Sequence, residues 1–487
     1  MLFTDPIFLF KFLPLVLLGF CVTSLAGTRA HRLAFLVAVS LVFYSWFKAE
    51  YLILLVGSLI FNFVLATKIL KAPQSKKSKL LLVFGIAANL SLLGVYKYLG
   101  FFVLNLNEIF EVGLPDPALL LPLAISFFTF QQISYLCDSH AGKIERKDHT
   151  CLEYTIFVTF FPQLIAGPIV HHSEMMPQFK TAIPMPQRSK MFAEGLLLFS
   201  AGLFKKLVIA DALAPHADLV FAAADDGQIL DFWTAWSGAL AYTFQIYFDF
   251  SGYSDMAIGL GLLFGIRLPW NFNSPYKSTN ISEFWRRWHM TLSRWLRDYL
   301  YIPLGGNRKG TARQYANNFT TMVLGGLWHG AHWNFVIWGA LHGVFLIINQ
   351  LFRFLAGRVG LLDFAERASG FRLFAWAVTL LATIIAWVFF RAGTTHGAFN
   401  MVYSMFMMAE GISIDVPSTT LAVLCGAALV SFLLPNTKQI SAAFNTMKFK
   451  ISLLHPVVFG CFSGAAAGFA YLAALRVTQS PFLYFNF

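Results

Sequence analysis

Charged residues are scarce in this sequence of 487 residues, since Asp, Glu, Lys and Arg together make up only 12% of it. A soluble domain normally carries about 25% charged residues. Hydrophobic residues account for 57% of the chain and aromatic residues for 17%. The shortage of charge excludes an ordinary soluble globular protein. It indicates a polytopic membrane protein whose aromatic side chains contact lipid and form interfacial belts.

Cysteine is also rare, and no two cysteines have the spacing of a CxxC motif. The five are Cys21, Cys137, Cys151, Cys425 and Cys461. We therefore predict neither a disulfide framework nor a metal site. The adjacent His171 and His172 follow a broken apolar segment at residues 160–168. We expect them to be solvated at a membrane interface, with no metal bound.

The signature motifs of several enzyme classes are missing. The sequence contains no GxSxG nucleophile motif, no HExxH zinc motif, no phosphate-binding P-loop and no dinucleotide fingerprint. The net charge of +12 requires no nucleic-acid partner. Most basic residues lie between apolar runs, where the positive-inside rule places them on the cytoplasmic side. The partner that the composition predicts is the lipid bilayer.

Long apolar runs recur along the whole chain and predict roughly a dozen membrane spans of about 20 residues each. Several runs are short or interrupted by Gly and Pro, as at Gly167 and Pro168. A bilayer tolerates such interruptions where protein or water satisfies the freed backbone groups. We therefore expect an all-α membrane protein with re-entrant or tilted helices around a cavity. No linker separates the runs, and we predict a single domain over residues 1–487.

Basic segments predict the orientation of the chain. The first apolar run, at about residues 7–25, has Asp5 but no Lys or Arg before it, whereas Arg29 and Arg32 follow it. This order is typical of a retained helix that enters the cytoplasm at its C-terminal end, and not of a signal peptide. A second basic loop at residues 71–79 is consistent with it. We expect the N-terminus to be extracytoplasmic.

The most informative stretch is residues 283–329. Its first part has apolar residues at the 3-4-3-4 spacing of one face of a helix: Trp285, Trp288, Leu292, Trp295 and Tyr299. This predicts one amphipathic helix over residues 283–298, with Arg286 and Arg287 on its opposite side. His289 falls within the apolar arc. A buried histidine that hydrogen-bonds to a neighbouring helix explains His289 equally well as a functional residue does.

Two carboxylates, Asp249 and Asp255, lie in a hydrophobic run that also contains Tyr253. Buried charges require partners, and we expect the arginines of residues 286–297 to pair with them, with a structural role favoured over a catalytic one. Between these segments, residues 271–277 read as a loop. Asn280 or Ser282 is available to cap the helix that follows.

A second histidine, His329, also follows a tryptophan in apolar sequence, and residues 302–310 form a basic, Gly-rich break before it. Ionisable groups embedded in a membrane are expensive and mark functional sites by default. An imidazole can remove a hydroxyl proton near neutral pH, and the basic loop could hold the phosphates of an acyl carrier. The embedded histidines and the basic loop are consistent with acyl transfer to a hydroxyl, and nearly as consistent with a proton-coupled transporter.

Several long motifs occur in one order, most densely over residues 123–342, and together they resemble the membrane-bound O-acyltransferase (MBOAT) superfamily. They are residues 160–168, 247–255, 271–276, 284–298, 299–307 and 325–330. The resemblance is to its bacterial branch, which includes the integral membrane component of alginate O-acetylation and the teichoic acid D-alanyl transferase. The fold it implies is a ring of helices around a thin centre, with a central tunnel or funnel.

The resemblance implies that His329, in its Leu-Trp-His-Gly context, is the central catalytic histidine, and that His289 is the second. As a hypothesis, His329 acts as general base while His289 orients the acceptor or polarises the carbonyl. Direct transfer and an acyl-histidine intermediate both remain open. The remaining candidates for contact with substrate are Trp288, Trp328, Tyr253, Asn307 and Arg308.

The resemblance also implies the substrates and partners. No cofactor would be bound; acetyl-CoA in the cytosol would be the donor substrate. The acetyl group would cross the bacterial inner membrane to a periplasmic SGNH-type acetyltransferase within a polysaccharide biosynthesis complex, and then reach a polymer such as alginate. Cellulose, peptidoglycan and other polysaccharides remain open as acceptors. Transfer of D-alanine or another acyl group is the alternative within the enzymes, and a transporter or flippase is the alternative outside them.

Overall fold

The computed structural model describes residues 1–181, 185–360, 368–408 and 410–446, together with residues 464, 468, 482 and 483. Within these residues every regular element is helical, and the only extended pairing is an isolated bridge between Leu230 and Ile412. The prediction of an all-α fold is therefore confirmed.

The described residues divide into two compact units. The first contains residues 1–199 and 254–269, and the second contains residues 200–253 and 270–446 with the described residues near the C-terminus. One helix of 32 residues, Phe232–Leu263, contributes to both units, and we call it the long helix. The prediction of a single domain stays a prediction.

The first unit is a bundle of helices with a buried inner member. Its α-helices are Leu13–Ala26, Arg29–Ser45, Glu50–Ile69, Lys76–Leu93, Leu99–Phe110, Ile125–His140, Cys151–Thr159, Phe161–Leu164, His172–Lys180 and most of Met185–Phe204. Nearly all side chains of Ile125–His140 are buried. Its Gln132 exchanges hydrogen bonds with Ser58 at 3.1 and 3.3 Å. The side chain of Gln132 is thus satisfied by a neighbouring helix.

The outer helices are long and apolar enough to cross a membrane. Five described helical segments meet this criterion, and a sixth does if one pair bent by 51° counts as a single span. They are Phe8–Ala26, Glu50–Ile69, Lys76–Phe110, Trp333–Arg358, Ser369–Arg391 and the bent pair Ser418–Phe432 with Thr437–Thr446. Large apolar side chains such as Leu15 and Ile53 are exposed on them. The chain is therefore a multi-pass membrane protein, although the predicted dozen spans are not confirmed.

The second unit carries the sequence stretch of interest. Besides its part of the long helix, its α-helices are Asp211–Asp225, Ile281–Trp285, Met290–Leu296, Thr311–His329, Trp333–Arg358, Ser369–Arg391, Thr395–Phe406, Ser418–Phe432 and Thr437–Thr446. The segment 297–301 continues Met290–Leu296 as a π-helical turn. Asn280 caps Ile281–Trp285 by accepting the Glu283 N–H at 2.9 Å, as the sequence predicted.

Two helices of this unit form a tight hairpin. We call Thr311–His329 the histidine helix and Trp333–Arg358 the return helix. A Cβ atom on Gly326 would lie 2.2 Å from the carbonyl oxygen of Phe335, and one on Gly339 would lie 2.4 Å from that of Met322. Only glycine permits this approach, so Gly326 and Gly339 allow the two backbones to come together. The end of the histidine helix is thereby fixed against the return helix.

Candidate functional site

His329 is the last residue of the histidine helix and is 3% exposed. Its imidazole meets three aromatic rings edge-on, with ring centroids at 4.9 Å from Trp328, 5.1 Å from Trp338 and 5.1 Å from Phe390. Trp338 lies on the return helix and Phe390 on Ser369–Arg391. The three rings enclose the imidazole and restrict its orientation.

His289 does not lie within a continuous helix, so that prediction was wrong. The segment is broken into Ile281–Trp285 and Met290–Leu296, with His289 in the turn between them. Its backbone is left-handed, with φ 40° and ψ 52°. Such a conformation costs a residue other than glycine about 1–3 kcal/mol and persists only where surrounding structure enforces it. The side chain is fully buried.

The loop at residues 271–277 breaks the helix. The N–H of Asn273 donates to the carbonyl of Arg287 at 2.9 Å, and the N–H of Met290 donates to the carbonyl of Asn271 at 2.9 Å. These bonds replace those that a continuous helix would make at the same groups. A tertiary contact thus overrides a local helical pattern.

The two histidines share one neighbour. The indole of Trp328 lies 4.9 Å from the His329 ring and 6.3 Å from the His289 ring, centroid to centroid. The two imidazoles are therefore no farther apart than the sum of these distances. His289 also meets the ring of Phe250 on the long helix at 4.7 Å. The structure brings both predicted histidines together around Trp328, in surroundings that exclude water.

Sequence reasoning missed a third histidine. His342 on the return helix is fully buried, and its Nδ1 accepts the indole N–H of Trp285 at 3.3 Å. Its ring centroid lies 4.8 Å from that of Trp338, which in turn contacts His329. The signal was available, because an ionisable residue within an apolar span is a functional candidate by default.

Trp288 is buried inside an aromatic cluster. Its ring stacks on Phe284 at 5.7 Å and lies 4.8 Å from Trp387 and 5.0 Å from Phe272. These contacts give it a packing role, and its predicted contact with substrate stays a prediction.

Tyr253, on the long helix, stacks on Phe482 at 4.3 Å. Phe482 lies 5.9 Å from Phe250, the residue that also contacts His289. The C-terminal end of the chain therefore reaches the surroundings of the site, which the sequence did not predict. Residues 484–487 lie outside the described residues.

Asn307 and Arg308 are exposed on the basic loop that precedes the histidine helix. Gly305, Gly306 and Gly310 have positive φ angles, and the Asn317 side-chain amide donates to the Gly306 carbonyl at 2.9 Å. The histidine helix has 19 residues, so Gly310 lies about 28 Å from His329 along its axis, and Gly306, which is bound to Asn317, lies about 18 Å from it.

The predicted pairing of Asp249 with the arginines of residues 286–297 was wrong. Its carboxylate binds Lys206, whose Nζ also contacts Asp211, each at 2.6 Å. The other oxygen of Asp249 accepts the Leu483 N–H at 3.1 Å. A basic residue in a membrane protein is stabilised inside by such partners. Lys206 is therefore buried among these carboxylates.

Asp255 is also buried, on the part of the long helix that belongs to the first unit. Its pairing with the arginines stays a prediction. Arg286 is exposed, with no ion pair among the described residues, and Arg287 binds Glu283 at 2.7 Å. Burial raises the pKa of the Glu283 carboxyl, but hydrogen bonds from Thr279 and the nearby Arg287 guanidinium outweigh it and hold the pKa below its usual value.

The expectation that His171 and His172 are both solvated was wrong for His172. This side chain is buried, and its Nδ1 lies 3.0 Å from a carboxylate oxygen of Asp138. Nearby polar groups replace solvent as its partners. No group of three or more potential metal ligands occurs among the residues that the structure describes.

Comparison with known proteins adds to this geometry. The profile of the membrane-bound O-acyltransferase family matches residues 123–390, a range that includes both histidines and the basic loop. The chain is 40% identical to a peptidoglycan O-acetyltransferase of Helicobacter pylori, over 100% of this chain and 98% of the relative. It is 44% identical to a probable alginate O-acetylase AlgI of Pseudomonas aeruginosa, over 83% and 75%. A teichoic acid D-alanyltransferase of Streptococcus thermophilus is 31% identical over 47% and 56%.

Proposed function

The chain belongs to the membrane-bound O-acyltransferase family, and on this premise we propose that it acetylates hydroxyl groups of a bacterial cell-envelope polysaccharide. The acetyl group comes from a cytosolic thioester, with acetyl-CoA as donor, and crosses the inner membrane at this site. The observation that carries the proposal is the burial of His289 and His329 around Trp328 within the region matched by the family.

The reaction is acyl transfer from sulfur to oxygen. His329 removes the proton of an acceptor hydroxyl, whose oxygen attacks the thioester carbonyl. The C–S bond breaks, and the imidazolium returns its proton to the departing thiolate. His289 donates to the carbonyl oxygen or orients the hydroxyl. General-base assistance of this kind is worth about 10²–10⁴ in rate, and exclusion of water by the aromatic walls suppresses hydrolysis of the thioester.

The basic loop at residues 305–310 is the proposed site for the donor phosphates. Exposed Arg308 and Lys309 supply positive charge, and left-handed glycines keep the loop compact. The loop lies about 18–28 Å from His329 along the histidine helix, because Gly306 contacts Asn317 and Gly310 precedes the first residue of the helix. A donor held at the loop therefore needs a long, extended arm between its phosphates and its thioester, as acetyl-CoA has.

Peptidoglycan is the acceptor we favour. The similarity to the H. pylori peptidoglycan O-acetyltransferase extends over 100% of this chain, compared with 83% for the P. aeruginosa AlgI. Alginate is the second candidate, because identity to that relative is 44% against 40%. A periplasmic SGNH-type acetyltransferase carries the acetyl group to the polymer within a biosynthesis complex. The further expectations are an extracytoplasmic N-terminus and a ring of helices around a tunnel or funnel.

Reconstitution tests the reaction. Purified protein in liposomes receives acetyl-CoA labelled in the acetyl group, with the periplasmic SGNH-type acetyltransferase and glycan strands added on the other side of the membrane, and both thiol release and label on the glycan are measured. Release of CoA coupled to ester formation supports acyl transfer. A transporter or flippase would move a solute and leave the thioester intact. A D-alanyl transferase would ignore acetyl-CoA and consume a D-alanyl thioester.

Deletion of the gene identifies the acceptor. Alkali-releasable acetate is measured separately in purified peptidoglycan and in extracellular polysaccharide, with and without the gene. Loss from peptidoglycan supports the favoured acceptor, whereas loss from the extracellular fraction alone favours alginate or a related polymer. Unchanged acetate in both fractions would refute the proposed function.

A further inference from the structure

The left-handed turn at His289 is hydrogen-bonded to the loop at residues 271–277. Two main-chain hydrogen bonds bracket it, one from Asn273 to Arg287 and one from Met290 to Asn271. Neither is local, since the loop is separated from the turn by the helix Ile281–Trp285. The turn is therefore hydrogen-bonded to the loop at residues 271–277 on both sides of His289.

The side chain of Asn271 adds a further pair of bonds. Its Oδ1 accepts the hydroxyl of Thr291 at 2.6 Å and the N–H of Thr291 at 3.3 Å. Asn271 is 0% exposed. Water does not readily replace an acceptor at this depth, so loss of the Asn271 side chain removes two hydrogen bonds that hold Thr291. Asn271 thus binds the two residues that follow His289: its main-chain carbonyl binds Met290 and its side chain binds Thr291.

Packing next to Asn271 restricts the same region. The ring of Phe272 lies 5.0 Å from Trp288 and 5.0 Å from Phe250, and Phe250 contacts His289 at 4.7 Å. Loop, turn and long helix therefore form one packed cluster around His289.

We infer that Asn271 is a positioning residue: it holds His289 in the left-handed conformation that directs the imidazole toward Trp328 and His329. The catalytic part of this inference rests on the proposed function. Without the Asn271 side chain, residue 289 relaxes to a right-handed conformation, and the helical pattern of residues 283–298 becomes continuous. The imidazole then points along a different direction, and a misplacement of about 1 Å can lower turnover by about 10²-fold.

A comparison of His289→Gly with His289→Ala tests the backbone part without any activity. In a left-handed conformation glycine is favoured over alanine, whereas in a right-handed helix alanine is favoured. The Gly variant should therefore melt at a higher temperature than the Ala variant in otherwise wild-type protein. In an Asn271→Ala background the order should reverse. If glycine remains the more stable residue there, Asn271 does not hold the turn, and the inference is overturned.

Turnover tests the catalytic part, with acetyl-CoA, the periplasmic SGNH-type acetyltransferase and solubilised glycan strands in the same assay. Asn271→Ala should lower kcat by about 10²-fold with little change in KM. In a His289→Ala background it should cause no further loss, because Asn271 acts only through the imidazole. If the decreases in kcat multiply in the Asn271→Ala, His289→Ala double variant, Asn271 acts independently of His289, which would contradict the inference.

The Thr291→Val and Thr291→Ser pair covers the cases where Asn271→Ala does not fold or His289→Ala has no measurable turnover. Valine removes the hydroxyl that Asn271 accepts and should lower kcat, and serine keeps it and should restore kcat. Equal turnover in the two variants would overturn the inference. Wild-type turnover in His289→Ala would refute the proposed role of His289, and the melting comparison would still report on the turn.

Discussion

The ammonium group of Lys206 lies 2.6 Å from a carboxylate oxygen of Asp249, and both side chains are almost completely withdrawn from solvent. Asp249 lies one residue before Phe250, which contacts His289 at 4.7 Å. The ion pair thus anchors the part of the long helix that forms one wall of the site.

Removal of Lys206 should destabilise the protein severely. Lys206→Met leaves two buried carboxylates, Asp211 and Asp249, without their cation, and breaking a buried ion pair typically costs about 3–5 kcal/mol. The expected result is loss of monodisperse protein after detergent extraction, measured by size-exclusion chromatography. Lys205→Met is the matched control, because Lys205 makes a hydrogen bond to the neutral Thr437. A normal yield of Lys206→Met would contradict the structural importance of the pair.

Replacement of His329 should abolish transfer and leave the fold intact. His329→Ala removes the proposed general base, so acetyl transfer should fall by about 10²–10⁴-fold, measured with labelled acetyl-CoA in liposomes. His396→Ala serves as control, since that histidine is exposed and lies on a different helix. Normal polymer acetylation by well-expressed His329→Ala protein would end the assignment.

Arg287 should matter for folding more than for turnover. Its guanidinium binds Glu283 at 2.7 Å and the Asn273 carbonyl at 3.4 Å, and so joins the first short helix to the loop. Arg287→Ala should lower the yield of folded protein more than it lowers activity per folded molecule. The neighbouring Arg286→Ala should have little effect, because Arg286 is exposed. Full stability of Arg287→Ala with selective loss of turnover would instead indicate contact with substrate.

The ion pair of Glu283 predicts a pH dependence of stability. Glu283 lies outside the candidate spans, and its pKa is lower in the folded than in the unfolded protein. Its contribution is therefore present above the unfolded-state pKa and is lost as pH falls through the folded-state pKa. Glu283→Gln should lower the melting temperature at pH 7, and the difference from wild type should shrink toward pH 3. A difference in melting temperature between Glu283→Gln and wild type that stays constant from pH 7 to pH 3 would show that the charge of Glu283 does not stabilise the protein.

The basic loop should affect donor affinity. Arg308→Ala should raise the KM for acetyl-CoA about five- to thirty-fold, the equivalent of roughly 1–2 kcal/mol of charge-assisted binding. The effect should weaken at high salt, because exposed charges are screened. Lys76→Ala, an exposed charge in the first unit, is the control. An unchanged KM in Arg308→Ala would place the donor phosphates elsewhere.

Local chemistry determined much about this protein. Apolar runs and scarce charge predict a helical membrane protein because a bilayer admits only structures that satisfy their own backbone. His289 and His329 were identifiable as candidates because embedded imidazoles are costly.

Tertiary structure decided the rest. Helical periodicity reports only on neighbours within about four residues, so residues 283–298 read as one helix. Hydrogen bonds that the Asn271 carbonyl accepts from Met290 and the Asn273 N–H donates to Arg287 interrupt that helix at His289. Asp249 likewise found Lys206 and not the arginines nearer in sequence, because a buried charge takes the partner that the fold places beside it. The sequence thus identified the candidate histidines, while the packed chain determined their directions and partners.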